Sequence, residues 1–269
     1  MGTGPTADAA AVIEALGGDP GRTALLFDID GVLAPIVPHA NDARVPDEAL
    51  DVLARLARRF LVVGVVSGRA MADVDRMVPI PGLARGGNHG MEVAAPGGEA
   101  ELVAEARALM PALRAFVEAC PGDDMAAHGA WLEDKGASVS LHFRESADPD
   151  AAEAYLEGTV ADRARALGLK VRRGRMIVEV LPDVQVDKGT AVREIVQSAG
   201  AEAAMYVGDD RTDMDAWRGL REMVDEGLLQ RAVCVLADQP EVGDDVRAAA
   251  DMAVAGTVGV VDLMRAMAA

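Results

Sequence analysis

Short apolar runs recur along this chain with helical segments between them, and that alternation limits the available folds more than any single residue does. Residues 22–29, 61–66 and 83–86 read as buried strands. Between the first two, Leu50, Leu53, Leu56, Ala57 and Phe60 recur at helical spacing over 47–60, behind Pro46 at a suitable helix start. A short helix over 71–77 follows the second strand. Strand, helix, strand, helix predicts a parallel sheet with crossover helices. The rhythm changes near Glu99. A long helix over 100–119, a strand pair from Trp131 turning at Lys135-Gly136, a helix over 151–167 and two strands over 170–181 describe an α+β unit. The first rhythm returns at Asp187, with a helix over 188–199, a strand over 204–207, a helix over 216–226 and a strand over 232–236. A short strand and a terminal helix close the chain. The expectation is an α/β protein: a Rossmann-like parallel-sheet core in two parts, residues 1–98 and 182–269, with an α+β domain, residues 99–181, inserted between them.

At 269 residues the chain can bury a sizeable core. Aromatics make up only 3% of it, so that core must be built from Ala, Val, Leu, Ile and Met. The net charge of −18 argues against nucleic acid and anionic membranes as partners, since both repel it at long range. A phosphorylated small molecule would need positive charge placed locally. Cys120 and Cys234 match no metal spacing and read as two reduced thiols. The opening MGTGPTADAA has no signal-peptide pattern, and no run is long enough for a membrane span. The expected setting is the cytoplasm.

The first strand ends in LLFDIDG, with Asp28 and Asp30 two positions apart. On an extended strand these carboxylates share a face, and like charges that close repel unless something positive sits between them. A divalent cation is the simplest remedy. Asp28-x-Asp30, Ser67, the GGNHG turn at 86–90 and Gly208-Asp209-Asp210 all fall at carboxyl ends of expected strands, the edge where open parallel sheets bind ligands. Lys188, at a helix start, reaches the same edge. These parts suit phosphoryl transfer. Asp28 is the candidate nucleophile, giving an aspartyl-phosphate. Magnesium would be held by Asp28, Asp209 and the main-chain carbonyl of Asp30. Asp30 would protonate the leaving oxygen and then activate water. Ser67 and Lys188 would hold the nonbridging oxygens. Asp210 and Asp213 would orient the metal's waters and Lys188 from behind. Taken singly these are weak signals: Asp and Gly at a strand end often make a turn, and Ser67 alone reads as a helix N-cap. Their order along the chain carries the reading.

FDIDGVL, VVSGR, DKG and GDDRTD resemble the four ordered motifs of the haloacid dehalogenase superfamily of phosphotransferases. DIDGVLAPI, SGR, GNHG, LEDKGASVSLHFR and the GDDRTD block narrow this to a resemblance to the trehalose-phosphatase family, over roughly residues 24–262. The resemblance implies a core of haloacid dehalogenase type with the inserted α+β unit as a cap, and magnesium-dependent hydrolysis of a disaccharide phosphate, trehalose 6-phosphate first. It also places the family's sugar-binding Glu-x-Lys pair on Glu133 and Lys135, and the acidic residue of the last cap strand on Glu179. Gly31, Arg69, Asn88 and His89 join the substrate-binding set, and Arg144, Arg173 and Arg175 are further contacts of weaker correspondence. His39, His128 and His142 show no mutual metal spacing and receive no role.

Two positions depart from the family pattern. The family usually has Glu after GDDRTD, where this chain has Met214, and a basic residue where it has Leu181. Both replace polar groups able to bond sugar hydroxyls, so another phosphorylated disaccharide or pseudo-disaccharide stays open as substrate. A phosphosugar mutase and a non-catalytic sugar-phosphate-binding regulator are the other readings. Asp30 in place and the LEDKG and GNHG stretches favour hydrolysis.

Overall fold

A computed structural model describes residues 9–39, 42–174 and 176–269. Its strands, in chain order, are β1 (Thr23–Phe27), β2 (Val62–Val66), β3 (Ala84–Gly87), β4 (Glu92–Ala94) and β5 (Glu101–Leu102), then β6 (Trp131–Asp134), β7 (Val139–His142), β8 (Leu169–Gly174) and β9 (Ile177–Pro182), then β10 (Ala203–Gly208), β11 (Arg231–Asp238) and β12 (Met252–Ala255). Among the described residues they form two sheets, β12-β11-β10-β1-β2-β3-β4-β5 and β6-β7-β9-β8. The chain divides accordingly into two compact units, one of residues up to Glu101 together with Val186–Ala269, the other Leu102–Gln185.

In the first unit β12, β11, β10, β1, β2 and β3 run parallel, and β4 returns antiparallel to β3. Every residue of β1 is buried, as expected of a central parallel strand covered on both faces. Its alternate side chains go to two different cores. Leu25 and Phe27 join Met205 and Val207 of β10 under one layer of helices, while Ala24 and Leu26 join Ala204 and Tyr206 under the other. Helices α1 (Ala9–Ala15), α2 (Asp47–Leu56) and α3 (Met71–Met77) precede the second unit, and α4 (Ala104–Glu118), α5 (Gly122–Ala127), α6 (Pro149–Tyr155) and α7 (Asp162–Ala166) lie within it. After it come α8 (Lys188–Ala199), α9 (Asp213–Asp225), α10 (Asp244–Ala249) and α11 (Gly256–Met267). The first core is closed by α1, α2, α3 and α11, the second by α8, α9 and α10.

The second unit is an antiparallel sheet with helices on one face. Val139, Leu141, Val178 and Val180 point into a core with Leu113 and Phe116 of α4 and with Leu156 and Val160. The alternate residues Glu133, Ser140, Glu179 and His142 therefore occupy the opposite face. A π-helical stretch, Leu156–Ala161, joins α6 to α7 inside what the sequence presents as one helix over 151–167. β4, β5, α1, α5 and α10 were not expected. The two to seven residues of each are too few to show a period. Burial pushes the Cys120 thiol up to about 11 and raises that of Cys234 as well, so both free thiols stay protonated. No helix among the described residues is long and apolar enough to cross a membrane.

Leu53 on α2 is fully buried in the first core. Leu53→Ala should cost roughly 2–5 kcal/mol of that unit's stability. Urea unfolding followed by emission of the fully buried Trp217 in a Trp131→Phe background measures it, and a change below about 1 kcal/mol would contradict the packing described.

Candidate active site

β10, β1, β2 and β3 are parallel neighbours, so the residues that follow them leave the sheet at one edge. Those residues are Asp209, Asp28, Ser67 and Asn88. All four are buried polar groups. Lys188, the first residue of α8, is buried with them. It is fixed there by Asp187, whose side chain accepts the Thr190 N–H while the Thr190 hydroxyl accepts the Asp187 N–H.

Lys188 bridges two carboxylates: its Nζ lies 2.9 Å from Asp28 Oδ2 and 2.7 Å from Asp213 Oδ1. Burial opposes its charge, but Asp213 and then Asp28 outweigh burial and raise its pKa, so the ammonium persists. Asp213 is the anchor of this network. Beyond Lys188, its oxygens accept from Tyr206 Oη at 2.8 Å and from the main-chain N–H groups of Asp209 at 2.8 Å and Asp210 at 3.0 Å. Asp210 does not touch Lys188 through a hydrogen bond. Its Oδ1 accepts the N–H and hydroxyl of Thr212, both at 2.8 Å, and so shapes the turn into α9. Burial works against its charge, but Lys188 and then the Thr212 bonds prevail and lower its pKa.

Asp28 is different. One oxygen meets Lys188, while Oδ1 is buried without a hydrogen-bond partner. Burial holds its carboxyl well above the usual range, against the pull of Lys188. Burial, followed by the Asp213 and Asp210 carboxylates, pushes Asp209 up to about 7. Carboxylate oxygens of Asp28, Asp209 and Asp213 lie within 4.8 Å of one another. Since Asp213 is taken up by protein donors, Asp28 and Asp209 are the pair left to bind an ion. Three buried carboxylates against one ammonium leave two negative charges, which one divalent cation with oxygen preference would balance. The residues fit such an ion.

The expected meeting of Asp28 and Asp30 on one strand face does not occur. β1 ends at Phe27, and the chain turns at Gly31, so each carboxylate has its own cation. Arg69 grips Asp30 with two hydrogen bonds, Nε to Oδ2 at 2.6 Å and Nη2 to Oδ1 at 2.7 Å. Arg69, expected against substrate, is thus paired with Asp30. The Gly31 N–H goes to the Ala34 carbonyl, and its own carbonyl accepts from Gln239 Nε2 at 2.9 Å. What requires glycine is closeness: φ is +74°, and a Cβ would sit 1.9 Å from Asp209 Oδ2. Gln239 is held in turn by Arg247, which donates to its carbonyl and to Asp238. Neither Gln239 nor Tyr206 was singled out in the sequence. Each lies far from its partner or carries no motif, and no periodicity reports such contacts.

Ser67 is buried with Oγ accepting the Arg69 N–H at 3.3 Å. The GNHG turn docks beside it, with the His89 N–H on the Ser67 carbonyl and the Asn88 N–H on that of Arg69. Asn88 and His89 both have positive φ, and the Asn88 amide donates to Glu92. The His89 ring lies so close to Gly68 that a Cβ there would be 2.4 Å away.

In the second unit the structure brings Glu133, Lys135 and Glu179 together on the face away from the helices. Lys135 Nζ is 3.9 Å from Glu133 and 3.8 Å from Glu179. Arg144 is exposed. Arg173 is elsewhere, its Nε 2.6 Å from Glu157 on the helical side. Arg175 lies outside the described residues. Of the two departures, Leu181 is buried and Met214 packs partly buried against the second core, so both are accommodated as apolar side chains.

The sequence model for trehalose-phosphatase matches residues 26–249. A trehalose-phosphate phosphatase of Mycobacterium avium is 34% identical over 235 residues, covering 84% of this chain and 57% of the relative. The chain thus spans less than two thirds of the curated relatives it matches. Among solved structures, the C-terminal domain of the Candida albicans trehalose-6-phosphate phosphatase superposes with a TM-score of 0.69 at 20% identity, covering 98% of both chains. A haloacid dehalogenase-like hydrolase from Bacteroides thetaiotaomicron superposes with a TM-score of 0.55 at 14% identity, covering 91% of this chain and 99% of that one. The fold is that of the haloacid dehalogenases, as expected.

An Asp209 carboxyl near 7 competes with a cation for the same oxygens. Raising the pH ionises it, so divalent-ion affinity should rise up to about pH 7.5 and then level off. Titration calorimetry with magnesium should find binding about tenfold weaker at pH 6 than at pH 8, with proton release on binding. Equal affinity at both would refute the raised pKa.

Proposed function

The chain belongs to the trehalose-phosphatase family, and from that premise we propose that it is a magnesium-dependent phosphatase hydrolysing trehalose 6-phosphate to trehalose and phosphate. The observation that carries this reading is Asp28, one oxygen on Lys188 and the other unpartnered, at the carboxyl edge of a parallel sheet. A phosphoric monoester of a small sugar suits an edge where Lys188 and a carboxylate cluster able to hold a cation lie together. Two protonated, free thiols accord with the cytoplasm.

Asp28 attacks phosphorus, forming an aspartyl-phosphate as the bond to the sugar oxygen breaks. Asp30 gives that oxygen its proton, and later takes one from the water that splits the intermediate. The two-pronged Arg69 contact fixes where the Asp30 oxygens lie, and Gln239 fixes the loop that carries them. Lys188 and the Ser67 hydroxyl hold the nonbridging oxygens. Asp213 keeps Lys188 charged and in place, and holds the backbone of Asp209 and Asp210. Asp28, Asp209 and the Asp30 carbonyl would hold the magnesium, which would supply charge that screens the nucleophile from the phosphate. Glu133, Lys135 and Glu179 bind sugar hydroxyls, and Asn88 and His89 shape the turn beside Ser67. Leu181 and Met214 favour one second reading, in which another phosphorylated disaccharide or pseudo-disaccharide is preferred.

Phosphate release with magnesium from trehalose 6-phosphate, sucrose 6-phosphate, glucose 6-phosphate and a phosphorylated pseudo-disaccharide decides between them. Trehalose 6-phosphate should be preferred, Asp28→Asn should be inactive on all, and Asp30→Ala should lose about 100- to 10,000-fold in kcat. Preference for another member moves the substrate and keeps the chemistry. Release unaffected by Asp28→Asn would end the phosphatase reading.

A further inference from the structure

Trp131 and His142 face each other across β6 and β7 in direct register. Their rings stack with centroids 4.2 Å apart and planes 15° from parallel. This pair shares its sheet face with Glu133, Ser140 and Glu179, because β-strand side chains alternate. His142 Nε2 lies 2.8 Å from Glu133 Oε2, so the carboxylate fixes the imidazole plane and, through it, the indole. Trp131 is nevertheless 46% exposed, while the other tryptophan, Trp217, is fully buried. A large rigid ring left open beside convergent acids and an ammonium is the composition of a ligand site. Ser140, between Glu133 and Glu179 in the register, has a buried hydroxyl with no partner, so the polar row is not closed on itself.

We propose that the Trp131–His142 stack is a platform for the C–H face of a sugar ring, and that Trp131 determines specificity by selecting the sugar portion of the substrate. The proposal rests on the sugar-phosphatase reading and adds residues to it. A hexose ring has an apolar face of C–H groups and a rim of hydroxyls. The indole takes the face, and Glu133, Lys135 and Glu179 on the same sheet surface take the rim. His142 is a positioning residue, holding the indole flat and itself oriented by Glu133.

The test compares Trp131→Ala with Trp131→Phe, the latter retaining an aromatic face, after thermal melts confirm that both fold. The readouts are kcat and KM for trehalose 6-phosphate, kcat/KM for acetyl phosphate, and Trp131 emission of the Asp28→Asn protein titrated with trehalose. Trp131→Ala should raise KM for trehalose 6-phosphate about tenfold with kcat changed less than threefold. Its kcat/KM ratio of trehalose 6-phosphate to acetyl phosphate should fall about tenfold, and Trp131→Phe should recover most of both losses. Trehalose should shift the emission saturably, and the shift should vanish with Trp131→Ala. Trehalose 6-phosphate turnover with KM within twofold of wild type in Trp131→Ala overturns the platform and leaves the phosphatase standing. If the wild type hydrolyses acetyl phosphate but no sugar phosphate, the substrate reading has failed. The emission titration then decides the platform alone: a saturable trehalose shift keeps it, and none overturns it.

Discussion

Three carboxylates buried around one ammonium are the constraint on which the rest of this edge of the molecule depends. Asp28, Asp209 and Asp213 crowd within a few ångströms, and Lys188 reaches two of them. Buried charge is tolerated only when paired and hydrogen-bonded, and here the pairing is incomplete by design of the sites themselves. Asp213 is saturated with donors and is therefore fixed. Asp28 keeps one oxygen without a partner and Asp209 carries a raised pKa, so the imbalance is concentrated on these two carboxyls. The protein thus holds an electrostatic deficit at this edge, of the kind a divalent cation would relieve.

The surrounding structure keeps that deficit in position. β1 is buried on both faces and lies between β10 and β2, so Asp28 leaves a strand constrained on all sides. The loop after it is tied down from two directions, Arg69 on Asp30 and Gln239 on Gly31. Both ties reach back from later parts of the chain. Asp187 caps α8 and sets Lys188 at the helix start, while Tyr206 and the amides of the β10–α9 turn hold Asp213. Asp30 and Lys188 are thus each oriented by neighbours from other parts of the chain.

The second unit divides labour between the faces of one sheet. Valines and leucines on alternate positions build its core, and the positions between them carry acids, a histidine and an exposed tryptophan. The two-residue period supplies a stable core face and an opposite polar face from the same four strands. Arg173 belongs to the scaffold side, because its neighbour in the period points the other way.

The sequence by itself determined the parallel core, the inserted antiparallel unit, and the identity of Asp28, Ser67, Lys188 and Asp209 as strand-end and helix-start groups. Those features are local: a buried strand is a continuous apolar run, and a site at its carboxyl end is whatever follows it. Only the tertiary structure decided which cation meets which carboxylate. Arg69 goes to Asp30 rather than outward, Asp213 rather than Asp210 takes Lys188, Gln239 closes on Gly31 across the fold, and Trp131 lies against His142. Side-chain pairing across long sequence separations depends on register, strand order and where a strand stops. Here a strand ending at Phe27, before the two aspartates, was enough to send them to different partners.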